Sequence, residues 1–348
     1  MSDHVSPEAS TDPRSSDALS SHAEPMDTDA IARAVTATGQ AVSEVAMEAL
    51  AELRRRVQSV VSVTDEVLEP ILVALVAGGH CLIEGIPGTG KTLLSRTLAR
   101  CLDCTFTRIQ FTNDLMPSDI VGSSVWRAGE ETFEFLPGPL FSNVVLADEV
   151  NRTSSRTLSC LLEAMEEGAV SVDGKTMSLG TPFAILATRN PIEFHGTFPI
   201  PEAALDRFLV HVELGYPDAA SERGLYRARA SEASLEQLKP ALTREQLVLL
   251  QATVPTVQVS EPVAEYAYSI VQETRSDESV ALGVSPRAAV SWLVAARARA
   301  LIHGRDYVLP DDLKALAVPV LSHRVFLKGG GSALRVIEGA LERVPVTL

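Results

Sequence analysis

The chain has 348 residues and a formal charge of −15, with 45 acidic against 30 basic side chains. That length suffices for two domains around a substantial core. The acidic balance argues against nucleic acid as the main partner, because stable duplex binding needs clustered Lys and Arg, although a basic pore inside an acidic ring stays open.

Residues 1–40 are rich in Ser, Thr, Asp, Pro and Ala without apolar periodicity, which predicts a disordered acidic tail. The segment carries no apolar signal region, and no stretch of the chain approaches the roughly 20 apolar residues of a membrane span, so a cytoplasmic protein with no membrane span is expected. Helical patterning begins near Val42, and Ser62 to Ala77 reads as a second helix. A buried strand over 81–85 then runs into "GIPGTGKT", followed by a helix over 91–102.

That octet, Gly85, Ile86, Pro87, Gly88, Thr89, Gly90, Lys91 and Thr92, has the P-loop spacing. Its glycines let backbone N–H groups turn inward onto a phosphate, and the helix start adds partial positive charge. Lys91 then reaches the β- and γ-phosphates and Thr92 offers a hydroxyl to Mg²⁺, so the cofactors expected are ATP and Mg²⁺. Cys101 and Cys104 have C-x-x-C spacing with no second pair, which favours a structural reading over a redox or metal site.

A strand over 105–111 follows, and "VWRAGEETFEFLPGPLF", Val125 to Phe141, alternates like a projecting hairpin. "VVLADEV" predicts a buried strand over 143–149 that delivers Asp148 and Glu149 to the sheet edge beside the loop. There Asp148 would hold Mg²⁺ through its water shell, and Glu149 would orient and deprotonate the attacking water. After a helix over 154–167, Asp173-Gly174 sits between alternating runs from Ala169 to Leu179, a second hairpin.

The strand over 183–188 ends in Asn190, either a contact to the γ-phosphate or a turn-initiating Asn-Pro. "LDRF" puts Arg207 at a helix end, as a surface ion pair or a catalytic group, ahead of a strand near 208–214. Beyond residues 215–218 the pattern turns wholly helical. "SPRAAVSWLVAARARAL" opens a long amphipathic helix with Ser285 as N-cap and Pro286 first. Arg287 in its first turn opposes the helix dipole, which invites an anionic partner.

The order GIPGTGKT, ADEVNR, ATRNP, LDRF and GVSPRA resembles AAA+ ATPases. The stretches "RIQFTNDLMPSDIVG", "FEFLPGPLF", "LLEAMEEGAVSVDG", "FPIPEAALDRF" and "GRDYVLPDDL" closely resemble the MoxR family, from about Ser59 to Arg324. The resemblance implies an α/β P-loop AAA+ core, a parallel sheet flanked by helices with hairpin inserts, followed by an all-α lid domain. The divisions expected are 1–40 tail, 41–217 nucleotide-binding domain and 218–348 lid.

It further implies Walker A at Gly85 to Thr92, Walker B at Asp148 and Glu149, sensor 1 at Asn190, an arginine finger at Arg207 and sensor 2 at Arg287. The site would lie between subunits of a ring, a hexameric homo-oligomer, with Arg287 in the chain's own pocket and Arg207 entering from the neighbour. The activity implied is ATP hydrolysis by a chaperone that remodels or matures client protein complexes together with a von Willebrand factor A domain protein.

A magnesium-chelatase-like motor subunit and a non-hydrolysing nucleotide-dependent scaffold are the alternatives. "IPEAALDRF" favours the first reading over the chelatase, and intact Glu149 and Arg207 speak against the scaffold. The chain departs from the family at Arg189, where Gln is usual, at His195, and over Val60 to Asp65, which puts the base contacts in question.

Overall fold

The computed structural model describes residues 45–191, 198–216, 219, 222, 223, 235 and 237–346. The predicted tail at 1–40 and His195 lie outside the described residues. Residues 45–60 form α1 and Asp65–Val76 form α2, whose Leu68, Ile71, Leu72 and Leu75 are buried. β1 (Cys81–Gly85), buried throughout, leads through the Gly-rich loop into α3 (Lys91–Cys101). A two-residue β2 (Leu102–Asp103), β3 (Phe106–Gln110), a short α4 (Pro117–Val121) and a hairpin of β4 (Gly122–Arg127) with β5 (Thr132–Pro137) follow. The chain then forms β6 (Val144–Asp148), α5 (Ser155–Glu167) and a second hairpin of β7 (Ala169–Val172) with β8 (Lys175–Ser178). β9 (Ala184–Arg189), α6 (Glu202–Leu205) and β10 (Val210–Leu214) complete the α/β part.

Five of these strands make one parallel sheet in the order β10-β1-β9-β6-β3. The two-residue period of each strand splits its side chains between two cores. Cys81, Ile83, Ala184 and Leu186 join α2, α3 and the C-terminal helices on one face, while Leu82, Val145, Ala147, Ile185 and Ala187 pack under α5 on the other. Because the strands are parallel, all their carboxyl ends, and the loops that follow them, share one edge of the sheet.

Both hairpins form. The first starts at Gly122, ahead of the expected Val125, and leaves Trp126 and Phe133 exposed, edge to face with ring centroids 5.0 Å apart. The second turns on Asp173 and Gly174, both at positive φ (50° and 74°), the conformation a tight Asp-Gly hairpin turn requires. Ser124 Oγ donates to Asp173 Oδ2 at 2.6 Å and ties the two hairpins together. The free thiols of Cys101 and Cys104 are both pushed up to about 11 by burial, which leaves them in the inert, structural role.

The C-terminal part is not wholly helical. β11 (Leu242–Thr243) pairs with β2, and β12 (Val280–Leu282) pairs with β13 (Phe326–Leu327), around α7 (Arg244–Thr253), α8 (Glu261–Ser276), α9 (Pro286–Ile302), α10 (Pro310–Leu321) and α11 (Ala333–Arg343). α9 starts as expected, with Ser285 Oγ accepting from the Ala288 N–H at 3.1 Å and Pro286 first. It is not amphipathic, however. Ala288, Trp292, Ala295, Ala296, Ala298 and Ala300 are all buried, because α10 and α2 both pack on it and its alanines admit them closely.

A chain of ion pairs joins this part to the core. Asp312, fully buried, accepts from Arg299 at 2.6 Å and from Arg305 at 2.7 Å, and Arg299 reaches on to Glu69 of α2 at 2.7 Å. Arg54 of α1 closes on the same Glu69 at 2.9 Å. Among the described residues, no helix is long and apolar enough to cross a membrane.

Candidate functional site

The Gly-rich loop lies at the carboxyl edge of the sheet. A Cβ on Gly85 would stand 2.6 Å from the Leu214 carbonyl oxygen, so only glycine lets β1 run this close to β10. Gly88 and Gly90 have φ of 86° and 91°, and a Cβ at either would meet nothing within 4 Å, so the loop curves around open space at the start of α3. Lys91, nearly buried, donates from Nζ to the carbonyls of Gly85 (2.5 Å) and Ile86 (2.9 Å) and to Asn190 Oδ1 (3.0 Å). Burial lowers its pKa, and Asp148, Glu149 and Glu84 pull in the opposite direction. These features form a cradle for an anion with its own cation at the centre.

Strands β6 and β9 deliver the acidic and amide groups. Thr92 Oγ1 donates to Asp148 Oδ2 at 3.2 Å, and Thr188 Oγ1 to Asp148 Oδ1 at 2.5 Å. The Arg108 guanidinium also closes on Asp148 Oδ2, at 2.6 Å from Nη2 and 3.1 Å from Nε. Glu149 sits at φ 58°, and its N–H is held by Thr188 Oγ1 at 3.0 Å. Its carboxylate accepts from Asn190 Nδ2 (3.3 Å), Gln110 Nε2 (3.2 Å) and Arg152 Nη1 (2.9 Å). Asn190 therefore bridges Lys91 and Glu149, so these expected residues do come together.

The donor set fits Mg²⁺. Thr92 and Asp148 offer two adjacent hard oxygens, and Mg²⁺ keeps few protein ligands when phosphates supply the rest. No group of three or more His, Cys, Asp or Glu among the described residues could hold a metal by itself. Arg189, the departure from the family, donates from Nε to Glu84 Oε2 at 2.7 Å, and His211 Nε2 meets the same oxygen at 2.9 Å. That pairing braces the residue just before the loop against the one just before Asn190.

Arg207 and Arg287 lie elsewhere. His80 stands immediately before β1, at the amino edge of the sheet, and its Nε2–H donates to the Met165 carbonyl at 3.0 Å while the Ile185 N–H donates to its Nδ1 at 3.1 Å. The end of α5 is thereby fixed at that edge. The next residue, Glu166, accepts from Arg207 Nε at 2.9 Å and Nη2 at 2.7 Å, and from Arg287 Nη1 at 3.1 Å. The Arg207 hydrogen bond and then its charge, followed by Arg287, hold the Glu166 carboxyl below its ordinary range. The contacts of Arg287, expected in the chain's own pocket, are thus to Glu166 and Asp206. At about 3.3 Å per residue, five residues of β1 separate the two edges by about 15 Å, beyond the reach of an arginine already engaged at the amino edge.

Sequence reasoning missed Arg108, Gln110, Arg152, Thr188 and Glu166. Arg108 and Gln110 had a readable signal, since alternation on a strand that runs beside Asp148 puts both on the side facing it.

Comparison with known proteins matches this geometry to a family. Residues 80–210 fit the profile of the ATPase family associated with various cellular activities (AAA), and residues 272–335 fit that of the AAA lid domain. Protein YeaC of Bacillus subtilis is 49% identical over 256 residues, covering 74% of this chain and 80% of its own. Chaperone MoxR1 of Mycobacterium tuberculosis is 41% identical over 273 residues, 76% and 72% of the two chains. Protein MoxR of Methylorubrum extorquens is 30% identical over 307 residues, 81% and 88%. A crystal structure of a Cytophaga hutchinsonii protein assigned as an ATPase superposes with a TM-score of 0.81 at 36% identity, over 89% of this chain and 98% of that one. With relatives so named spanning more than two thirds of both chains, over a core and lid built in the same order, the chain belongs to the MoxR family of AAA+ ATPases.

Proposed function

We propose that the chain hydrolyses Mg²⁺-bound ATP at a site shared between neighbouring copies in a ring, taken as a hexamer, and uses the cycle to remodel or mature partner protein complexes. The division into 41–217 and 218–348 as nucleotide-binding domain and lid belongs to the same reading. One of the relatives is named a chaperone, which supports the remodelling role. The von Willebrand factor A domain protein remains the partner class proposed from the family resemblance.

In this reading Gly85, Pro87, Gly88, Thr89, Gly90 and Lys91 hold the phosphates, and Thr92 with Asp148 holds Mg²⁺. Bound there, the ion would neutralise phosphate charge as it develops. Glu149 takes the proton of the attacking water, and Asn190, touching both Lys91 and Glu149, aligns the base with the phosphate-binding lysine. Arg207 and Arg287 act on the nucleotide of the adjoining copy.

The observation that carries the shared site is the placement of both arginines on Glu166 at the amino edge, a full strand length from their own Lys91. An arginine delivered in this way is worth about 10³- to 10⁵-fold in rate in other phosphoryl-transfer enzymes. The test mixes Arg207→Ala with Lys91→Ala chains, each inactive alone. Partial recovery of ATPase activity in co-assembled mixtures is expected, because some interfaces then pair an intact pocket with an intact arginine. A monomer with full turnover would reject the shared site.

A further inference from the structure

Asp148 is 4% exposed, and a carboxylate that deep needs a counter-charge as well as hydrogen bonds. Thr188 and Thr92 supply hydroxyls only. Lys91, the nearby alternative cation, spends its contacts on two backbone carbonyls and Asn190. The positive charge in contact with Asp148 comes from Arg108, which approaches Oδ2, the same oxygen that Thr92 faces. A Mg²⁺ ion held by Thr92 and Asp148 would draw on that oxygen.

We propose that Arg108 is a positioning residue that serves as the resident counter-ion of Asp148 and competes with the divalent cation for its Oδ2. This rests on the reading of Asp148 as a metal-binding residue and adds a gate to it. The side chain suits such an exchange. Its side chain is 46% exposed, so it can swing into water at small cost, whereas Asp148 cannot follow it out of the strand. Arg108 Nη2 also donates to Gln110 Oε1 at 2.6 Å, and Gln110 Nε2 donates in turn to Glu149. Arrival of the metal thus removes a contact that orients the partner of the catalytic base. Loading of the ion thereby loosens one of the three side-chain contacts on Glu149, while those from Asn190 and Arg152 remain.

The test uses Mn²⁺ as a paramagnetic stand-in for Mg²⁺, titrated into the full chain without nucleotide and read from the free-ion electron paramagnetic resonance signal. Arg108→Ala and Arg108→Gln are expected to bind one Mn²⁺ about tenfold more tightly than the wild type, in line with the loss of one charged hydrogen-bonded competitor. Arg108→Lys should stay near wild type, and adding Asp148→Asn to Arg108→Gln should abolish the gain. Two neutral replacements guard against one of them failing to fold. Equal Mn²⁺ affinity in wild type and both neutral variants overturns the competition. A repeat with ADP present separates the two layers: if Asp148→Asn leaves Mn²⁺ binding unchanged there, the metal assignment itself falls, and the competition with it.

Discussion

Lowering the pH from 6.5 toward 4 should destabilise the protein through His80, and the size of the loss follows from its surroundings. The ring is fully buried, one nitrogen donates to the Met165 carbonyl and the other accepts from the Ile185 N–H, so the neutral tautomer fits and a second proton has nowhere to go. Burial lowers its pKa from 6.5 to about 4, with the Met165 hydrogen bond opposing it. The unfolded chain takes up a proton near pH 6.5 and the folded chain does not, so the histidine's contribution is complete above that pH and is lost as the pH falls to the folded value. That shift corresponds to about 3 kcal/mol in all, about 2 kcal/mol of it gone by pH 5. Urea unfolding followed by circular dichroism at pH 7.5, 6, 5 and 4.5 measures it, with His80→Gln as the non-titrating comparison. His323, whose pKa burial also lowers, is common to both proteins and drops out of the difference. The variant should show the shallower pH dependence by the stated amount. Parallel stability curves for the two proteins would refute the assignment.

Lys91→Ala should abolish nucleotide binding by calorimetry, since it removes the ammonium at the centre of the loop; wild-type affinity would overturn the P-loop reading. Glu149→Gln should retain ATP while turnover in a phosphate-release assay drops at least about a hundredfold, the usual worth of a general base. Asp312→Asn should cost about 3 kcal/mol of unfolding free energy, because it leaves Arg299 and Arg305 half-buried without their shared carboxylate. Urea midpoints equal to wild type would refute that cost.

The α/β core was legible because its signals are local. Strands β1, β6 and β9 open on apolar runs of three or four residues, Asp173-Gly174 specifies its own turn, and Ser285-Pro286 announces the start of α9. Elements β11, β12 and β13 were not legible, since two or three residues carry no period and their pairing depends on segments far away in the chain. The same holds for Arg287. Its sequence context gives its place on a helix, but the edge of the sheet it reaches depends on how α9 docks against α2 and α10. Nothing local marks Glu166 among the acids of its helix end, and only the arrival of two arginines from distant segments distinguishes it.

The short span between Glu166 and the second hairpin has a mechanical consequence. Only Glu167 and Gly168 separate the carboxylate that holds the arginine pair from the first residue of β7, and Gly168 turns the chain in a single left-handed step. Two residues leave almost no slack, so a shift of Glu166 with the arginines would be passed directly to β7–β8. At its far end Asp173 grips Ser124, and β4–β5, with Trp126 and Phe133 facing outward, is towed along. In the proposed ring, a change at the neighbouring copy's phosphates would reach this exposed aromatic pair through Glu166.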